Sequence, residues 1–393
     1  MIYTHHSSTV LPILRSHLPY SGSCLRRIQH ADAYPTPTVR ILATFPPSQP
    51  VLTSTSTESD EDPWLVACID PGRAPETSVF LYCSLERNAT DRGGTDGAEE
   101  ANDNGYEFSV DEPVKRLVQA RLRALLREIQ RLHRLQPATE LTAEKNTSEI
   151  TDNYNSSNDE NDRHSENGNP FLATLHPACF ALLTVSNTFA DPRPIPGLRV
   201  HRVTNPPWIK YLFEKQTEPT DTERIESSVL PPGYRFTDTH GATGVQPRHH
   251  ALVQASTEIR RSEMTLSQMP SVAVYKDSNV IANDESKRDP HTGNSDEPVG
   301  WAFLSIYGSV AGLYVHPAHR GRGLAGLLAR EAMRKGMQEG GIFHLPTSAG
   351  MESERYYCAA EVAMANTASQ RVMEKMGARR TGMAAWTVLE VSE

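Results

Sequence analysis

The sequence predicts an α+β fold built on mixed sheets and divided between two folded regions. Three observations carry that reading. Short apolar runs of strand length recur with helical patterns between them. One strand passes through a glycine-rich turn straight into an apolar-faced helix, between Leu313 and Met333. Long polar stretches interrupt this pattern without contributing to it. Strands and helices distributed in this way suit an α+β domain on a mixed sheet.

In chain order, Leu11 to Ser21 (LPILRSHLPYS) reads as an opening helix. The first 31 residues also lack Asp and Glu and carry Arg15, Arg26 and Arg27, as a mitochondrial presequence does. The expected compartment is mitochondrial or cytoplasmic. Trp64 to Asp70 (WLVACID) and Ser78 to Ser84 (SVFLYCS) are two buried strands around a Pro-Gly turn. Val114, Leu117, Val118, Leu122, Leu125, Ile129 and Leu132 recur at helical spacing, with Pro113 at the start and Pro137 beyond the end. The outer face of that helix carries Arg116, Arg123, Arg127 and Arg134, and reads as a solvated face diluted by nearby glutamates. Phe180 to Val185 (FALLTV) is a further strand candidate.

The second region begins near Leu230. Ser271 to Tyr275, Val299 to Ile306 and Ser309 to Val315 read as three successive strands. A helix follows from Leu324 to Met337, and Tyr356 to Met364 is a fourth strand. Asn366 or Thr367 caps a helix that stops at Gly377, where glycine supplies the left-handed position. Trp386 to Val391 closes the chain as a strand.

The 393 residues carry a net charge of −9, and 28 prolines sit among them. Polar segments near 86–104, 137–169 and 276–297 hold a disproportionate share of the acid, and too few apolar residues to offset the entropy of ordering. They are expected to be disordered insertions. Without them the folded remainder is slightly basic, which suits a polyanionic ligand without providing the field a nucleic-acid binder needs. No apolar run approaches the roughly 18 residues of a membrane span. The five cysteines form no C-x-x-C pair, so neither a disulfide framework nor a metal site is indicated. Cys68, Cys83 and Cys179 sit in apolar runs and read as buried, inert thiols of a reducing compartment.

The chemistry concentrates in LYVHPAHRGRGLAGLLAREAM, Leu313 to Met333. Gly321 and Gly323 allow the backbone conformations of a tight turn and its close approach to a ligand. The amides from Gly321 through Ala325 then point outward at a helix N-terminus, where the dipole favours negative charge. Arg320 and Arg322 add cationic charge at the same place, so the turn is built as a pyrophosphate cradle. No acidic residue ends a following strand at the distance a dinucleotide fingerprint needs, and no G-K-[ST] follows as in a P-loop.

R-G-R-G-L-A, Arg320 to Ala325, resembles the R/Q-x-x-G-x-G/A acyl-CoA motif of the GNAT acyltransferase superfamily. NTASQRVMEKMGA, Asn366 to Ala378, resembles that superfamily's N-x-x-S-x-x-L-x-x-K-x-G-F segment, in the right order and with a strand between. LPPGYRF, MPSVAVY, PVGWAFLSIYGS and LYVHPAHRGRGLA are similar to glycine N-acyltransferase-like proteins, and the N-terminal stretch resembles that family's non-catalytic half.

The resemblance implies a GNAT fold, a mixed and splayed sheet flanked by helices, after a degenerate α/β N-terminal domain. It divides the chain into residues 1–216, a polar linker at 217–229, and a catalytic domain at 230–393. Acyl-CoA or acetyl-CoA would lie between two splayed strands, with the backbone of Leu313, Tyr314 and Val315 on the pantetheine. Arg320, Gly321, Arg322, Gly323, Leu324 and Ala325 would hold the pyrophosphate, and Asn366 and Ser369 would sit by the thioester side. A small amine or amino acid such as glycine would attack the thioester directly, with no metal. Two further implied readings are a GNAT that acetylates proteins and an acyl-CoA-binding protein that has lost its chemistry.

The sequence departs from the pattern at the catalytic positions. Ser309 stands where the glycine N-acyltransferases place a suspected base, a glutamate. Glu361 on the next strand and His316 at the strand end are the candidate substitutes. Met373 stands where many GNAT enzymes have a tyrosine acid.

Overall fold

The computed structural model describes residues 1–47, 62–74, 76, 78–89, 106–135, 169–214, 229–257, 259, 261–277, 296–345 and 356–392. The chain forms two compact units. One is Met1–Ile209 with Gly382–Glu393, and the other is Lys210–Thr381.

The first unit opens with β1 (Tyr3–His5), α1 (Ser7–Ser16), α2 (Gly22–Ala33) and β2 (Arg40–Ala43). It continues with β3 (Leu65–Ile69), β4 (Val79–Cys83), α3 (Glu112–Arg134), β5 (Phe171–Leu175), α4 (Pro177–Ala181) and β6 (Leu198–Val203). Strands β1 to β4 pair antiparallel in sequence order. Strand β5 lies parallel to β4 over only two rows, Val79↔Ala173 and Phe80↔Thr174. Every residue of β3 and β4 is buried, because α2 touches them on one face while α3 packs on the other. The α3 contribution is Val118, Leu122, Leu125, Leu126 and Ile129, the stripe that its periodicity predicts. Arg123 and Arg134 on its outer side donate to the carbonyls of Pro196 and Val391, which ties that basic face to its own unit.

The second unit holds the C-terminal part of β7 (Trp208–Glu214), then β8 (Tyr234–Arg235), α5 (His250–Ala255), α6 (Glu263–Gln268), β9 (Ser271–Lys276) and β10 (Gly300–Leu304). After these come β11 (Ser309–Val315), α7 (Leu324–Met337), β12 (Tyr356–Val362) and α8 (Thr367–Lys375). Its strands lie in the order β7-β12-β11-β10-β9-β8. The pairings from β8 to β11 are antiparallel, and β11 runs parallel to β12. Helix α7 covers one face, with Leu328 against Gly300 and Gly336 against Leu304.

Several expectations need correction. Phe180 to Val185 is not a strand. The strand is Phe171–Leu175, and the apolar run falls in α4 and the turn after it. Pro177 sits at the first position of α4 and the His176 side chain accepts from the Ala178 amide, both helix-start devices that an apolar run conceals. The first polar segment does not begin at residue 86. Glu86 is buried in a 3-10 turn (Ser84–Asn88), where its carboxylate accepts from the Cys83 amide at 2.8 Å. The remaining parts at 90–104, 137–168 and 278–295, and linker residues 217–228, lie outside the described residues. At the edges of those parts, Asn169 and Asp296 are held by hydrogen bonds from Gln130 and Thr239.

The division at 216 and 230 also differs from the observed one. β13 (Arg379–Val391) is one strand whose residues from Gly382 onward cluster with the first unit. There Ala385–Leu389 pair antiparallel with β5, and Thr387–Val391 pair with β6.

Candidate active site

The site starts from the pairing of β11 with β12. Only two rows are joined, Ser309↔Ala359 and Val310↔Ala360. Past them the two parallel strands make no further paired rows, so backbone groups of Ala311 to Val315 on that side are released from the ladder. The other side of β11 stays paired with β10, with a bulge at its middle. Trp301↔Tyr314 and Phe303↔Ala311 leave Gly312 and Leu313 opposite Ala302. Gly312 takes φ +55°, a left-handed conformation that a side chain resists, and a Cβ there would stand 3.3 Å from the Phe303 ring. Trp301 stacks on Tyr314 at 4.6 Å between centroids and steadies the far arm of the strand.

Strand β11 delivers the chain into a 3-10 turn, Pro317–His319. The His316 side chain caps that turn by accepting from the Ala318 amide. The Arg320 Nε donates to the Val315 carbonyl at 2.9 Å, folding the turn back on the strand end. Gly321 and Gly323 both have positive φ, +76° and +77°, with open space where a Cβ would be. Gly323 is the N-cap of α7, whose first turn carries no acidic residue. Leu324 is buried, so it offers the site its backbone amide alone. Arg322 is exposed and lies over the Tyr234 ring at 6.0 Å, and the Tyr234 hydroxyl bonds His319 at 2.8 Å. Among the described residues no carboxylate pairs with Arg320 or Arg322. A left-handed glycine turn, a helix N-terminus and two such arginines form a place for a polyanion at the open end of the strand pair.

Residues paired across parallel strands share a face, and alternate residues along a strand return to it. Ser309, Ala359 and Glu361 therefore face the same way at the point where the strands part. Ser309 is 2% exposed. Its amide donates to the Ser305 hydroxyl at 3.1 Å, which closes the β10–β11 turn together with Ser305 N to Ser309 O at 2.8 Å. Tyr307, in that turn, lies outside the candidate site positions read from the sequence. Burial holds its hydroxyl well above the usual phenol range, and the Glu361 charge pushes the same way. Ser305, Ser309 and Arg261 lie near enough to oppose that shift.

The structure thus brings Ser309 and Glu361 together and leaves His316 apart. Seven residues of extended chain, about 23 Å at most at roughly 3.3 Å each, separate His316 from Ser309. Its place is beside the glycine turn. Asn366 is exposed and caps α8, its side chain accepting from the Ser369 amide at 3.0 Å. Met373 is buried.

Residues 1–211 match the family described as the acyl-CoA N-acyltransferase verG N-terminal domain. Residues 268–378 match the acetyltransferase (GNAT) family, a span containing both β11 and the glycine turn. The chain belongs to the GNAT acyltransferases. As a GNAT protein it is an acyltransferase of the family that uses acetyl-CoA or another acyl-CoA, and the GNAT match lies in its second unit.

A comparison with curated proteins gave no match. Among solved structures, a Drosophila protein is 11% identical with a TM-score of 0.46, covering 99% of this chain and 98% of that one. A tandem GNAT protein from the clavulanic acid biosynthesis pathway is 10% identical with a TM-score of 0.39, over 100% and 98%. A proposed GNAT acetyltransferase from Novosphingobium aromaticivorans is 17% identical with a TM-score of 0.31, over 57% and 76%.

Proposed function

We propose that this GNAT protein is an N-acyltransferase of the glycine N-acyltransferase-like kind, moving an acyl group from CoA to the amino group of a small acceptor such as an amino acid. The observation that carries the reading is the two-row junction of β11 and β12, with an anion cradle at its open end and a carboxylate at its vertex. The released backbone of Leu313 to Val315 pairs with the pantetheine. The amides from Gly321 to Ala325, with Arg320 and Arg322, hold the pyrophosphate. Asn366 and Ser369 flank the thioester side.

Catalysis then rests on positioning and on one proton acceptor. The acceptor amine reaches the thioester from the face that carries Ser309 and Glu361. Glu361 takes the proton, because a serine hydroxyl is far too weak a base. A backbone amide at the Gly312 bulge, freed from the ladder, stabilises the oxyanion.

The test is acetyl-CoA binding by calorimetry in the full chain. Gly323→Glu places a carboxylate in the cradle and should abolish binding while circular dichroism stays unchanged. Retained affinity would remove the cradle from the site. Turnover is followed as free thiol, released from acyl-CoAs mixed with amino acids.

A further inference from the structure

Resting on that reading, we propose that Tyr234 is a positioning residue of the acyl-CoA site, whose ring holds Arg322 ready for phosphate without neutralising it. Strand β8, which carries Tyr234, is the outer edge of its sheet and lies three places from β11. Its tyrosine nevertheless meets the glycine turn at two points. The hydroxyl bonds Nδ1 of buried His319 at 2.8 Å, and the ring carries the Arg322 guanidinium at 6.0 Å from its centroid. Those two residues bracket Arg320 and Gly321.

The two halves of the turn are held unequally. Before Gly321, the His319 amide donates to the His316 carbonyl at 2.8 Å and the Arg320 amide to the Pro317 carbonyl at 3.2 Å. Arg322 stands between Gly321 and Gly323, both at positive φ, in backbone that glycine leaves permissive. Among the described residues its side chain makes no hydrogen bond or ion pair, so the Tyr234 ring is what locates it.

The kind of contact matters. A carboxylate would also fix the guanidinium, but it would take the charge and the N–H donors that a phosphate needs. An aromatic face attracts the cation through its quadrupole and leaves the in-plane donors available. The platform itself is tied down on both sides. The Asp277 amide donates to the Gly233 carbonyl at 2.8 Å, while Arg235 lies over the Tyr275 ring at 5.4 Å and 3.5 Å from Asp277. Setting a long side chain in place beforehand removes part of the ordering cost of binding.

The experiment is calorimetric titration of the full chain with acetyl-CoA, arranged as a double-mutant cycle. Tyr234→Leu should weaken binding by about fivefold, the upper worth of an exposed cation–π contact. In an Arg322→Ala background the same change should cost less than about twofold, because the ring then has nothing to hold. Tyr234→Phe, which keeps the face but releases His319, should lose only about twofold. Trifluorophenylalanine at this position keeps the shape and drains the negative face, so it should bind as weakly as the leucine variant and secures the test if leucine disturbs the fold. A loss of equal size with and without Arg322 makes Tyr234 a scaffold residue and overturns the proposal. A fluorinated ring that binds like the phenylalanine variant overturns it too. A wild type that takes up no acetyl-CoA overturns the acyl-CoA reading, and this proposal with it.

Discussion

Asp70, at the end of β3, holds two arginines out of water. Its Oδ2 takes Arg27 at 3.1 Å and Arg73 at 3.2 Å, and its Oδ1 accepts from Thr36 and Thr38. Arg27 and Asp70 side chains are 2% and 1% exposed, so Asp70→Asn leaves buried positive charge uncompensated. The expected loss is about 3–5 kcal/mol of unfolding free energy, read by urea titration. Nearby, burial presses the His133 pKa down to about 4, against the opposing charge of Asp70. A pKa lower in the folded than in the unfolded chain means stability present above about 6.5 and lost as pH falls through about 4. That window should cost up to roughly 3 kcal/mol in the wild type, and His133→Gln should flatten it in unfolding curves taken from pH 7 to 4. Neither feature was legible in the sequence. Arg27 and Asp70 lie far apart along the chain, and nothing in their local pattern marks either as buried. The same applies to Ser309 and Glu361, which became neighbours only once the register of β11 on β12 was known. Arg320 to Ala325 could be read directly, because a glycine turn and its helix act through contiguous backbone.

Helices α3 and α7 occupy the same place in the element order of their units, each following a strand that pairs with its parallel neighbour over two rows. Their N-termini differ in charge and shape. Helix α7 starts at left-handed Gly323 with two arginines before it, whereas α3 starts at Asp111, Glu112 and Pro113. An acidic start repels phosphate where a glycine start receives it. In the first unit Leu81, Cys83, Leu175 and Phe180 also share one core at the strand junction. Calorimetric titration with acetyl-CoA should therefore give one site per chain, and a stoichiometry of two would contradict this contrast. Element type was legible wherever periodicity was long, as in α3, or where a turn residue fixed the ends, as in α7. It failed at Phe180, because a short apolar run looks the same in a buried strand and in a buried helix.

At the scale of the molecule, linear boundaries missed the return of the chain. Val388, Leu389 and Val391 complete the sheet of a unit that otherwise ends near residue 209. Leu389 is fully buried there. Truncation after Thr381 removes the antiparallel partner of both β5 and β6, so the first unit should unfold at markedly lower temperature and be cut early by protease within residues 171–203. Unchanged melting and digestion would show that β13 adds little. The second unit, whose strands from β8 to β12 are contiguous in sequence, should resist longer.

The returning strand also sets a timetable for synthesis. A ribosome finishes residues 1–209 and then makes the whole of 210–381 before the piece that completes the first sheet emerges. Until then β5 and β6 present open edges beside a nascent chain, a condition that invites wrong pairing. The N-terminal half is thus the last to mature, although it is the first to be made.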